Sequence, residues 1–269
     1  MKNVLLLCHD DSGQEARFQV ALDLARALEA HLTCLDVVVP PPAMINEYAG
    51  VAAIAELTAD AMEIEKNNRA RLTARLERDD VPWDWIETTG NLAPCITDAA
   101  ALADIIVVNR QLDDYPLPDM RRVAGELIVG SGKPVLAVPP DARRLDTGRA
   151  LIAWDGSPAA AAAMRAAVPL LQLADQVTLF EVNDGSVVTP AEDAASYLAR
   201  HDVHPEIVRV EAGVVGAPEI IAAQAAGGRF GYVVMGGFSR SRFVEALFGG
   251  ATRAMLTRSA IPVFLAHGQ

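Results

Sequence analysis

The same strand–helix–strand pattern is written twice in this chain, and nothing else in it constrains the fold as strongly. Val4-Leu5-Leu6-Leu7-Cys8 is an unbroken apolar run, closed by His9-Asp10-Asp11-Ser12-Gly13. An unbroken run, rather than an alternating one, belongs to a strand buried on both faces, as in a parallel sheet. Ala16, Val20, Ala21, Leu24, Ala25 and Leu28 then recur at helical spacing, and Leu32 to Val39 reads as a second strand. Strand, helix and strand in so short a span form a βαβ unit with a right-handed crossover. Asp155 and Ser157 match Asp10 and Ser12, and Glu181-Val182 matches Asp36-Val37, each 145 positions later. The first βαβ unit is therefore expected to repeat without an insertion. Further on, Gly213 follows Gly90 by 123 positions, Tyr232 to Met235 follow Ile105 to Val108 by 127, and Pro262-Val263 follow Pro134-Val135 by 128. The length change falls between strands two and three, where the second copy is about 22 residues shorter. So long a period excludes a solenoid and leaves a tandem duplication of one βαβ-rich domain of about 130 residues.

The remaining segments of the first copy follow the same logic. Val51 to Arg78 reads as a long helix, Trp83 to Ile86 as strand three, Ile105 to Val108 as strand four and Pro134 to Val138 as strand five. Helices pass through Ile96, Ala99, Ala100 and Leu102, and through Val123, Leu127 and Ile128. In the second copy a short helix, about Ala191 to Arg200, replaces the long one. The polar, charged stretch after Pro139-Pro140 is the linker. The chain thus divides into residues 1–140, a linker of 141–148 and residues 149–269. The fold class is α/β, with two Rossmann-like domains, each a five-stranded, mostly parallel sheet flanked by helices.

Charge and cysteine content narrow the function. A net charge of -12 argues against nucleic acid as a partner, because phosphate backbones are bound through a positive field. It leaves room for one bound nucleotide, which needs only a local site. Cys8, Cys34 and Cys95 are scattered without CxxC spacing, as in a reducing compartment. No apolar run approaches the roughly 20 residues of a membrane span. These features lead us to expect a soluble, cytoplasmic protein.

One stretch carries candidate chemistry. Val233-Val234-Met235 leads into Gly236-Gly237-Phe238-Ser239-Arg240-Ser241-Arg242, and helical spacing at Phe243 and Leu247 is broken again at Gly249-Gly250. A second helical pattern begins at Ala251, with Thr252 and Arg253 at its start. Glycines at a helix start let amide N–H groups approach an anion, and the helix dipole favours negative charge there. The stretch reads either as a phosphate cradle or as a glycine-rich turn of the kind common in α/β proteins.

Five strands with alternating helices, an aspartate after strand one and the loop from Gly236 to Thr252 together resemble the universal stress protein family, over both halves, as a tandem member. The nucleotide-binding loop of that family reads glycine, two residues, glycine, nine residues, glycine, then a small or hydroxyl residue. Gly236 fills the first position, Ser239 stands at the second, Arg240 to Phe248 supply the nine, and Gly249 and Gly250 follow. The resemblance implies an adenine nucleotide, ATP with accompanying Mg2+, bound for sensing or signalling. By the same likeness Asp155 holds the ribose or adenine, with Ala153 and Trp154 beside it, and Val182 walls the base. Met235 and Gly236 line the sugar and α-phosphate, and Gly249, Gly250, Ala251 and Thr252 hold the phosphates. Arg240 would neutralise a phosphate. Trp154 reads equally as a base-stacking ring and as a buried strand end. Serine at 239 departs from the pattern, since its Cβ disfavours positive φ and close backbone approach.

The first copy has lost more of the loop. Asn109 replaces Gly236, Arg122-Val123-Ala124-Gly125 replace Gly249 to Thr252, and Asp114 and Asp119 bring negative charge. It is expected to be structural or regulatory. The family's last strand is its dimer edge, which implies an internal pseudo-dimer here, with a further homodimer left open and the client protein unnamed. Two other functions remain open: a slow nucleotide hydrolase with Asp155 as base, and an interaction module with both sites empty.

Other clusters point elsewhere. Cys8, His9, Asp10 and Asp11 are adjacent, so on a strand they alternate faces and cannot converge on one ion. His201 and His204 read as loop residues. Glu63, Glu65, Lys66, Arg69, Arg71 and Arg75 are expected to form a solvated helix face.

Overall fold

A computed structural model describes residues 1–40, 51–112, 119–185, 187–238 and 250–268, with only the helical backbone for 51–58. The first half runs β1 (Asn3–Leu7), α1 (Gln14–Leu28), β2 (His31–Val38), α2 (Val51–Leu76), β3 (Trp83–Thr89), α3 (Leu92–Ala99, extended by a 3-10 turn at Ala100–Leu102), β4 (Ile105–Asn109), α4 (Met120–Gly130) and β5 (Val135–Val138). The second runs β6 (Arg149–Trp154), α5 (Pro158–Leu171), β7 (Gln176–Asn183), α6 (Ala191–Ala199), β8 (Glu206–Glu211), α7 (Ala217–Ala226), β9 (Tyr232–Gly236), α8 (Gly250–Arg258) and β10 (Val263–Ala266).

All ten strands form one sheet in the order β3-β2-β1-β4-β5-β10-β9-β6-β7-β8. Neighbours are parallel except at the centre, where β10 runs antiparallel to β5 with Phe264 opposite Leu136. Each half is thus a doubly wound sheet, and the two last strands join them as an internal pseudo-dimer, as the resemblance implied. Pairing these edges also removes two exposed ladders that would invite aggregation. One apolar layer carries α1, α2, α5 and α6; the opposite layer carries α3, α4, α7 and α8. Helix starts follow ordinary capping chemistry: Ser157 Oγ accepts from the Ala160 amide at 3.1 Å, and Pro158 opens α5.

The strand registers correct the expected gapless repeat. Val4 pairs with Ile105 and Leu32, and Ala150 pairs with Tyr232 and Val177, so the first strands are offset by 146 positions and the second strands by 145. The turn from strand to helix spans six residues in the first half (8–13) and three in the second (155–157). Asp155 therefore follows its strand where His9 does, not where Asp10 does. A single matching aspartate cannot set register, whereas a ladder of paired residues does. Among the described residues, no helix is long and apolar enough to cross a membrane.

Candidate functional site

In open α/β sheets the ligand crevice lies beyond the carboxyl ends of the strands, where the winding reverses. In the second half that point falls between β6 and β9. Ala153 pairs with Met235, and both are buried with Val182 in the layer of α7 and α8. Trp154 points to the opposite layer, where its indole N–H donates to the Thr189 carbonyl at 2.9 Å. Its ring is therefore not beside Ala153. The Asp155 carboxylate accepts from the Ser157 amide at 3.0 Å, and the Asp155 carbonyl accepts from the Val188 amide at 3.3 Å. Gly156, at φ 70°, lies so close to this segment that a Cβ would sit 2.2 Å from the Thr189 nitrogen. The loop after β7 thus lies across the exit of β6.

Gly236 has a packing reason to be glycine. A Cβ there would lie 2.6 Å from the Ala160 nitrogen and 2.8 Å from the Ala159 carbonyl carbon, so the start of α5 sits directly on the end of β9. Thr252 is buried in the first turn of α8, and its hydroxyl donates to the Gly236 carbonyl at 3.4 Å. Gly250 is exposed and Ala251 half-buried. The first amides of α8 lack partners within the helix, and its first turn holds no acidic residue. Ser239, Arg240 and Gly249 lie outside the described residues. The chain enters that segment from an anchored point. The Gly237 amide donates to the Ala266 carbonyl at 2.9 Å, a Cβ on Gly237 would meet Ile128 Cγ2 at 2.6 Å, and buried Phe238 holds φ 59°.

The first-half crevice is filled from within. Arg17 of α1 is fully buried, with Nε donating to the Leu7 carbonyl at 2.7 Å, Nη1 to Asp11 at 2.6 and 2.8 Å and to Asn109 Oδ1 at 2.5 Å, and Nη2 to the His9 carbonyl. Asn109 Nδ2 donates to the Gly13 and Val138 carbonyls at 3.1 and 3.2 Å. At the start of α4, Asp119 Oδ1 accepts from the Arg122 amide at 3.1 Å, and Val123, Ala124 and Gly125 are buried. Asp114 lies outside the described residues. A cation of the chain thus occupies the crevice, and a carboxylate of the chain occupies the helix start.

The sequence did not single out Arg17 or Asn68, and it misplaced Glu65. Glu63, Lys66, Arg69 and Arg71 are exposed as the solvated face requires and Arg75 is half-buried, but Glu65 faces inward at 4% exposure, beside Asn68 at 3%. Glu65 and Asn68 share a stripe with buried Leu72 and Leu76, and that spacing was the available signal. His9 Nδ1 lies 2.6 Å from Glu65 Oε1, while Asp10 pairs with Arg71 and Asp11 with Arg17. These three consecutive side chains thus diverge. Asp36 of β2 lies beside Glu65, and both line a cavity of about 440 Å3 with Arg69 and Glu87. Burial pushes the Asp36 carboxyl up to about 8, with the charge of Glu65 adding to the rise, and its Oδ1 has no hydrogen-bond partner. For Glu65 burial acts upward too, but the hydrogen bond and charge of His9, with Asn68 and the Asp10 amide, hold it below the usual carboxylate range. Among the described residues, no group of three or more His, Cys, Asp or Glu is placed to hold a metal ion.

The architecture defined here, two doubly wound halves joined through their last strands, is shared in fold with solved structures. A universal stress protein from Archaeoglobus fulgidus DSM 4304 superposes on 98% of this chain and 96% of its own, with a TM-score of 0.74 and 16% identity. A functionally unknown protein from Pseudomonas aeruginosa PAO1 covers 100% of this chain and 93% of its own, with a TM-score of 0.58 and 14% identity. At such identities the likeness is one of fold. No protein-family model and no curated protein matches the sequence.

Proposed function

We propose that the chain acts as a tandem universal stress protein in which residues 149–269 bind an adenine nucleotide, ATP with Mg2+, for sensing or signalling. Residues 1–140 support that unit. One contrast carries the reading. In the first half Arg17 closes the crevice and Asp119 caps α4, so both places where a nucleotide would bind hold groups of the chain itself. In the second half the crevice contact is made by the backbone of Ala159 and Ala160 against Gly236, and α8 begins on an exposed glycine with no acidic residue in its first turn. Amides at a helix start and the dipole behind them favour an oligophosphate. Ala153, Val182 and Met235 are buried in the same apolar layer as α8, and Asp155 stands at the exit of β6.

Thermal shifts with ATP, ADP and AMP test binding, because a ligand that binds only the native state raises the melting midpoint. Calorimetric titration then counts sites. One equivalent of ATP supports the reading; no shift rejects nucleotide binding, and two equal sites reject the division between halves. Phosphate release followed over hours separates a sensor from a slow hydrolase.

A further inference from the structure

The antiparallel join of β5 and β10 gives the sheet a pseudo-two-fold axis through Leu136 and Phe264. On the layer of α1 and α5, each end of the groove over this join is bounded by the start of one central strand, the end of the other and one helix. A single linker covers only one end. It does so through Leu145, which is buried and whose amide donates to Asp23 Oδ2 of α1 at 2.9 Å, with Leu22 buried in the same cluster. The other end is an open cavity of about 410 Å3, lined by Lys133 and Pro134 at the start of β5, Ala266 and His267 at the end of β10, and Arg165 and Ala166 of α5.

The chemistry of the two ends is inverted. Where the linker lies, α1 presents an apolar leucine and an aspartate that receives a backbone amide. At the open end α5 presents Arg165, which is exposed and, among the described residues, has no ion-pair partner. The Lys133 ammonium spends one of its three N–H donors on the Ala101 carbonyl, at 3.0 Å, and adds positive field at this end. His267 Nδ1 lies 2.9 Å from the Gly237 carbonyl. This cationic end belongs to a chain of net charge -12, so its sign does not follow from composition.

We propose that the open end docks an acidic peptide segment of a partner protein, laid down as the linker is at the other end, with Arg165 as its charge anchor. The linker, which turns at residues 139–142 and then runs through 142–147 without helix or strand, is the precedent for irregular chain in this groove, and complementary charge sets which segment is accepted and how fast it arrives. The cavity is at the small end of ligand-site volumes, so the contact is short and its affinity modest.

The test uses the full chain and two blocked heptapeptides. One copies linker residues 140–146, Pro-Asp-Ala-Arg-Arg-Leu-Asp; the other, Pro-Asp-Ala-Glu-Glu-Leu-Asp, exchanges its arginines for glutamates. Amide shifts in an NMR titration at low salt report binding. The acidic peptide, of net charge about -4, is expected to move the signals of Arg165, Ala166 and His267 and to bind at least 10-fold more tightly than the linker copy, whose two arginines and two aspartates cancel. Arg165→Glu is expected to reverse that preference while leaving the melting temperature and circular dichroism unchanged, since the residue is exposed. Equal binding of the two peptides, no binding of either, shifts confined to other surfaces, or an unaltered preference in Arg165→Glu would each overturn the proposal. Displacement of the acidic peptide by equimolar inorganic phosphate would also overturn it, by marking a small-anion site.

Discussion

Arg17 Nη1 lies 2.5 Å from Asn109 Oδ1, so a helix cation and a strand-end amide close the crevice between β1 and β4 from inside. In the second half the end of β9 is glycine and the start of α5 rests against it. The two copies have the same winding and opposite contents at the same place. Four outcomes follow from this difference and from the polar cluster beside it.

Arg17→Met strands the Asp11 carboxylate, whose side chain is only 8% exposed, together with the carbonyls of Leu7 and His9. Removing one partner of a buried pair costs about 3–5 kcal/mol. Urea unfolding of the variant is expected to show a loss of that size. Arg17→Met combined with Asp11→Asn is expected to recover part of it, because the second change removes the unpaired charge. A single-variant loss below about 1 kcal/mol would mean that water reaches the site.

Gly236→Ala places a Cβ against backbone atoms of Ala159 and Ala160, which have no rotamer to escape into. Overpacking of this kind costs about 1–3 kcal/mol. Gly130→Ala, at the end of α4, meets nothing within 4 Å and is the control. Chemical denaturation is expected to leave the control within about 0.5 kcal/mol of the parent, as is usual for surface changes.

The Asp36 carboxyl, raised to about 8 by burial and by Glu65, makes stability depend on pH in an uncommon direction. An unfolded aspartate titrates near about 3.9. Between those values the native state holds a proton that the unfolded chain has lost, so stability falls as pH rises from about 4 to about 8. Glu65 is lowered instead, and its contribution is lost only as pH falls through the acid range. Unfolding free energies measured from pH 5 to 8 are expected to decline in the parent and to decline less in Asp36→Asn. Parallel slopes would show that Asp36 is ionised in the folded state.

Gly250→Asp gives α8 the kind of carboxylate that Asp119 gives α4. Aspartate is favoured in the first turn of a helix, but a Cβ here would lie 3.0 Å from Pro218 Cγ, so the two effects oppose and the melting temperature is expected to change little. The same charge repels phosphate, so a thermal shift caused by ATP in the parent is expected to vanish. If the variant keeps that shift, the phosphates do not sit at the start of α8.

Much of this was legible without coordinates. The strands, the helices and the duplicated winding were readable because each depends on residues within a turn or two of one another. In the second half, strand alternation and the glycine break are local: Ala153, Val182 and Met235 share one layer, and Gly236 ends β9. The facing of Trp154 was less legible, since its partner Thr189 comes from another loop. So was the one-residue slip in repeat register, which only strand pairing reveals.

The amino-acid pattern alone determined that this chain makes two parallel, doubly wound halves, because the spacing of apolar side chains dictates which faces must be buried. Only the tertiary structure decided which polar groups go inside with them. Arg17 meets Asn109 across 92 positions, and Gln14 meets Asn68 across 54. Whether a charge is solvated or enclosed depends on neighbours brought from that far away, and local sequence carries no record of them.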